Sequence, residues 1–208
     1  MSKLFDINNP IWRFMGRVAD VFILTLLWAL CSIPIITIGA STTALYYVTL
    51  KMNEGIDEYM CRSFWKAFKD NFIPATILWL ILAVLFGGIG FTAYEAVAMT
   101  GRYDAMSFWM AVIIGIVLLL LSVMIFPLAA RLDAQPVKLL GIAYVTSIKN
   151  FGWTLFMLVI GVCVTAIGVF VFWPVLLVAP GTIAYLQAMI CVKMIFPLYG
   201  WNLADEKS

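Results

Sequence analysis

Residues 150–192 read NFGWTLFMLVIGVCVTAIGVFVFWPVLLVAPGTIAYLQAMICV and contain no Asp, Glu, Lys or Arg. Outward from this run lie three more charge-free stretches, Val21–Leu50, Asn71–Tyr94 and Ala105–Ala130. A helix rises about 1.5 Å per residue and the hydrocarbon core is about 30 Å thick, so about 20 apolar residues suffice for a crossing. Each stretch clears that length, and the first and last are long enough to hold a return helix. The chain is 64% hydrophobic and 12% charged, against about 25% charged in a soluble domain, and its mean hydropathy is +1.05. The expected class is all-α: a polytopic membrane helical bundle, one membrane domain over residues 1–208.

The direction of each crossing follows from the basic residues. They cluster as Lys3, Arg13 and Arg17; Lys51, Arg62, Lys66 and Lys69; Arg131, Lys138 and Lys149; and Lys193 and Lys207, with Arg102 by itself. Basic loops near membrane segments stay cytoplasmic. One crossing per stretch would send residues 51–69 outside, against that rule. Reading the first and last stretches as hairpins removes the conflict, because Pro34 with Gly39, and Pro174 with Pro180-Gly181, are natural reversal points. Six crossings in three hairpins result, at about 17–34, 38–52, 72–94, 106–130, 151–173 and 180–199. Both termini are then cytoplasmic, and twelve of thirteen basic residues lie inside, with Arg102 outside. The 38–52 helix is short for a span, which a thinned bilayer or shielding by neighbours accommodates. Met1-Ser-Lys-Leu-Phe-Asp is not expected to be a signal peptide, since no apolar h-region or cleavage site follows. Asn9-Pro10 reads as an N-cap with proline in the first turn.

Two segments between the spans are amphipathic at helical spacing. Over about 57–71, Cys61, Phe64, Trp65, Phe68 and Phe72 oppose Arg62, Lys66, Lys69 and Asp70. Over about 136–150, Val137, Leu140, Tyr144, Ile148 and Phe151 oppose Lys138, Thr146, Lys149 and Asn150, with Asp133 or Gln135 as caps. The main expectation is that both lie on the inner leaflet. The sharper one makes Phe64, Trp65 and Phe68 a cytoplasmic docking surface for another protein. An echo in spacing, Gly39 before Lys51-Met52 and Gly181 before Lys193-Met194, suggests related first and third hairpins.

Much chemistry is missing. The chain has no histidine, which removes Ser-His and Cys-His catalysis and imidazole metal sites. Cys31, Cys61, Cys163 and Cys191 have no CxxC spacing and are expected to pack as small hydrophobes. No phosphate-binding glycine loop precedes a lysine. No enzymatic activity, cofactor, metal or nucleic-acid partner is expected; the lipid bilayer is. Span centres hold no ionisable group, which argues against carboxylate-based ion coupling. The most polar span is the second, with Ser41, Thr42, Thr43, Tyr46, Tyr47 and Thr49. Thr42, Tyr46 and Thr49 share one helix face, either to bind a neutral solute such as a sugar or, the weightier reading, to pack against other helices. Gln187 in the last span has the same two readings.

The segment Leu26-Leu-Trp-Ala-Leu-Cys-Ser-Ile-Pro-Ile-Ile-Thr-Ile-Gly-Ala-Ser-Thr-Thr-Ala-Leu-Tyr-Tyr-Val-Thr-Leu-Lys51 resembles the signature of the YesL family of bacterial membrane proteins. So do Asn9–Arg17, Ser63–Phe72 and Phe126-Pro-Leu-Ala-Ala-Arg131. The family is a domain of unknown function, commonly encoded beside sugar ABC importers and glycoside hydrolases, and it carries no established catalytic residues. The resemblance implies a multi-pass protein of the bacterial cell membrane that serves as accessory subunit to a carbohydrate ABC importer and binds its permease subunits. The alternative is a stand-alone channel or facilitator for a neutral solute. It also points to residues 33–49, including Pro34, Gly39, Ser41, Thr42 and Thr43, as the first place to look for a partner contact.

Overall fold

A computed structural model describes residues 10–56, 59–98, 105–132, 134–170 and 174–201, with side chains throughout except at 10–14, 97, 98 and 105. The expected cap at Asn9, the side chain of Arg13, the cap at Asp133, and Lys3, Arg102 and Lys207 lie outside that description. Among the described residues all regular structure is helical: α1 (Pro10–Cys31), a 3₁₀ turn (Ile35–Thr37), α2 (Ile38–Asn53), α3 (Met60–Asp70), α4 (Phe72–Ala98), α5 (Ala105–Arg131), α6 (Pro136–Lys149), α7 (Phe151–Phe170), α8 (Val175–Ile190) and α9 (Phe196–Tyr199). A π turn over Cys191–Ile195 joins α8 to α9. Its cause is local: Pro197 has no N–H to give Lys193, and the Phe196 N–H bonds Cys191 O one residue further back.

Four helical segments are long and apolar enough to cross a membrane: Phe72–Ala96, Met106–Arg131, Phe151–Phe170 and Pro174–Tyr199. Their outward faces are apolar. Val84 on α4, Ile113 on α5 and Val162 on α7 are all well exposed, a surface that fits lipid and not water. α4 and α5 form an antiparallel pair, and the α3–α4 elbow with the first turn of α4 (Asp70, Asn71, Pro74, Ala75) shares a cleft with the end of α5 and the start of α6 (Ala129, Leu132, Gln135, Leu139). This marks one polar end of the α4–α5 pair.

The α1–α2 reversal falls where Pro34 and Gly39 placed it. Pro34 is extended at φ −75° and ψ 118°, and the Thr37 hydroxyl donates to Cys31 O at 2.6 Å with Pro34 O at 2.7 Å. The second reversal differs from expectation. Pro180 and Gly181 lie inside α8, and the return helix starts at Val175, not 180. Gly181 is instead a packing residue: a Cβ there would sit 2.2 Å from Thr25 Oγ1 and 2.9 Å from Val21 O of α1. Gly39 does the same against α4, where a Cβ would fall 2.4 Å from Ala75 O and 2.6 Å from Trp79 Cβ. The echoed glycines share that role, close approach of two helices.

The position of Gly39 bears on the number of crossings. α2 has 16 residues, about 24 Å of helix against a core of about 30 Å. Its first turn packs on the first two turns of α4 through Gly39, and its C-cap, Glu54, pairs with Arg131 at the end of α5. Both ends of α2 therefore meet the same end of the α4–α5 pair. Two helices entering a bilayer from opposite faces have their first turns about 30 Å apart, whereas the first turns of α2 and α4 approach closely at Gly39.

The amphipathic segments fold as helices. In α3, Ser63, Phe64 and Ala67 are buried against the hairpin, while Trp65 is exposed beside Arg62 and Lys66. In α6 the inward residues are Leu139, Ala143, Thr146 and Ser147, whereas Val137, Tyr144 and Ile148 are exposed. Small and hydroxyl side chains face the bundle and large apolar ones face outward, the reverse of a water-soluble helix. Each helix ends in the same elbow: Asn71 and Asn150 cap it, with Nδ2 donating to Ala67 O at 3.2 Å and to Thr146 O at 3.1 Å.

Candidate functional site

α2 carries most of the residues singled out by sequence. Gly39, Ser41, Thr43, Tyr46 and Thr49 are all buried, and Thr42 is half-buried. Their hydroxyls are used within the chain. Ser41 Oγ lies 2.7 Å from Ser32 Oγ and 2.9 Å from Thr37 O. Thr42 Oγ1 accepts from Trp28 Nε1 at 3.1 Å. Thr43 donates to Gly39 O at 2.9 Å and Thr49 to Leu45 O at 3.0 Å. The two residues with the longest polar reach find each other: the Tyr46 hydroxyl donates to Gln187 Oε1, and Gln187 Nε2 donates to Met157 O at 3.0 Å. One tyrosine and one glutamine thus bind α2, α8 and α7 together.

This arrangement puts the polar face of α2 inside its own bundle. Ser41 and Thr43 have no exposed surface, so a direct contact of either with another protein has nothing to use. Of the cytoplasmic docking residues, Phe64 is likewise buried and Phe68 half-buried. Trp65 remains, 47% exposed, its ring edge-on to Phe68 with centroids 5.7 Å apart.

A second polar cluster ties the helix ends together. Arg131, last residue of α5, pairs with Glu54 at 3.5 Å, donates from Nε to Trp201 O at 2.6 Å, and lies over the Phe196 ring at 5.7 Å. Both partners sit on glycine-terminated helix ends. Glu54 precedes Gly55 (φ +74°), and Trp201 follows Gly200 (φ +68°). The left-handed residue turns the chain back so that Ile56 N–H reaches Lys51 O and Trp201 N–H reaches Phe196 O. Sequence reading passed over Glu54. Its signal was present as an acidic residue before a glycine at the end of a helical run, with an unassigned arginine closing Phe126–Arg131.

Beside this cluster, α1, α2 and the start of α3 enclose a cleft of about 530 Å³ holding Arg17, Asp20 and Lys51. Arg17 Nη1 donates to the Tyr185 hydroxyl at 3.3 Å, and Lys51 Nζ lies 4.6 Å above the Tyr47 ring. No group of three or more His, Cys, Asp or Glu side chains suited to a metal occurs among the described residues.

Residues 21–92 match the model of a family described as a protein of unknown function, DUF624, of which the YesL family is one. The matched segment runs from α1 through the hairpin and α3 into α4, the part in which the inner polar contacts are concentrated. No curated protein and no solved structure matches the chain.

Proposed function

We propose that this chain is a non-catalytic membrane protein of the bacterial cell membrane that associates laterally with the permease subunits of a carbohydrate ABC importer. The importer link comes from the YesL resemblance. The observation that favours a structural partner over a solute pathway is the use of the α2 hydroxyls: Thr42, Tyr46 and Thr49 are committed to Trp28, Gln187 and Leu45. A channel or facilitator built on that face would have to break those bonds to pass a sugar. Copurification in mild detergent tests the reading. Recovery of permease and ATPase subunits in fixed ratio supports it, and a lone oligomer that passes sugar into liposomes overturns it. Trp65→Ala should reduce recovery several-fold if α3 makes the contact, because exposed aromatic anchors carry much of the energy at such surfaces. Purified protein that turns over ATP or a glycoside, with the activity lost on substitution within this chain, would remove the non-catalytic assignment.

Its proposed placement keeps both termini inside and four crossings, α4, α5, α7 and the Pro174–Tyr199 segment. The α1–α2 hairpin enters and leaves by the inner face. This reading leaves the basic residues on the same side as six crossings would, so the charge pattern accords with both. Contact between Gly39 and Ala75 favours the hairpin. So does the reversal itself: Ile33, Ile35 and Ile36 are 59–74% exposed, a tip suited to lipid, and Thr37 bonds the carbonyls that such a tip would otherwise leave unpaired.

A further inference from the structure

We propose that the cleft between α1, α2 and α3 binds the phosphodiester headgroup of a membrane phospholipid. At about 530 Å³ it falls within the range of roughly 300–1,000 Å³ usual for small-ligand sites. Its walls divide by chemistry: Arg17, Asp20 and Lys51 are charged, while Met52, Ile56 and Met60 are apolar. Among the described lining residues two are cations and one is a carboxylate. A phosphodiester is anionic and keeps two non-bridging oxygens to accept from such cations. The guanidinium offers a planar fork to two phosphate oxygens and the ammonium a point charge. Space is left for them, because a Cβ added at Gly16 or at Gly55 would meet nothing within 4 Å.

The surroundings specify a lipid. α3 flanks the cleft with Arg62, Lys66 and Lys69 exposed, the composition of a helix lying at headgroup level. From Arg17, α1 continues into exposed Val18, Phe22 and Leu26, an apolar track along which acyl chains descend while the phosphate stays with Arg17 and Lys51. The proposal needs a bilayer but not the importer, so the two stand or fall separately.

Full-length protein in detergent, titrated with defined lipids and read by native mass spectrometry, tests it. The probes are dioleoyl phosphatidylglycerol, dioleoylglycerol with the same chains and no phosphate, and soluble glycerophosphoglycerol. Phosphatidylglycerol should bind best, and Arg17→Gln and Lys51→Gln should each weaken it about tenfold, the scale of one charge-assisted hydrogen bond. Lys138→Gln, on α6 and outside the cleft, should leave it unchanged. Equal binding of dioleoylglycerol, undiminished binding in both variants, or equal binding of the soluble diester would each overturn the assignment. Melting curves of lipid-free protein check folding. If Lys51→Gln does not fold, Arg17→Gln decides the matter, with Arg17→Lys expected to restore part of the affinity.

Discussion

The α1–α2 hairpin and the α4–α5 pair begin from similar sequence and end in different places. Both arise from charge-free stretches, Val21–Leu50 in one case, Asn71–Tyr94 and Ala105–Ala130 in the other. α4 and α5 run 27 residues each and turn large apolar side chains outward. α2 runs 16 and buries ten residues, among them Ser41, Thr43 and Thr49. Absence of charge reports only that a helix tolerates hydrocarbon. Whether it faces lipid or other helices depends on length and on small and hydroxyl residues, since lipid is as apolar as leucine and association must come from close packing and hydrogen bonds.

The largest expected effect is at the far end of α2. Arg131→Gln removes the guanidinium from its pair with the Glu54 side chain, a loss of about 3–5 kcal/mol in unfolding free energy. Chemical denaturation in mixed micelles measures it, and a loss no greater than that for an exposed charge such as Lys149→Gln would mean that the pair does not anchor the hairpin. Next comes the tip. Gly39→Val drives a side chain into Ala75 O, backbone that cannot swing away, and should cost about 1–3 kcal/mol or more, seen as lowered yield and melting temperature. Gly88→Ala on α4, where a Cβ meets nothing within 4 Å, is the opposite case. It should stay within about 0.5 kcal/mol of the parent protein.

A smaller effect concerns the link between α2 and α8. Tyr46→Phe, Gln187→Leu and their double variant form a cycle in which a coupling of about 0.6–1.7 kcal/mol is expected, the span measured for interhelical hydrogen bonds in membranes. Strict additivity would show that the two side chains do not bond in the bilayer. Thr43→Leu refines the same point: the protein should melt lower while recovery of any permease partner is unchanged.

Much of this was legible beforehand. Charge-free length located α4, α5 and α7 to within a few residues, and proline with glycine located the first reversal. The 3.6-residue period located α3 and α6 and the apolar faces they present, but not which residues pack on the bundle: in α6 these are Leu139, Ala143, Thr146 and Ser147. Pro180-Gly181 misled for a related reason. A proline in an apolar helix loses one hydrogen bond, which neighbouring helices tolerate, and the adjacent glycine was needed for contact with Thr25. Among the site residues, Tyr46 and Gln187 were noticed singly; their pairing joins positions 141 apart in sequence, and no local pattern encodes it. The Glu54–Arg131 pair was hidden for the same reason, with each charge reading as an ordinary helix-end residue.

The comparison rests on where the hairpin tip lies, and a single labelling experiment addresses it. Ile35 is 72% exposed, so Ile35→Cys can be introduced into a cysteine-free background without disturbing the packing, with Tyr103→Cys in the α4–α5 connection as the external reference. Intact cells are treated with a membrane-impermeant maleimide. With the hairpin held at the inner face, Tyr103→Cys is labelled and Ile35→Cys is not. Labelling of Ile35→Cys from outside at the rate of Tyr103→Cys would contradict that placement, and α1 and α2 would then be full crossings.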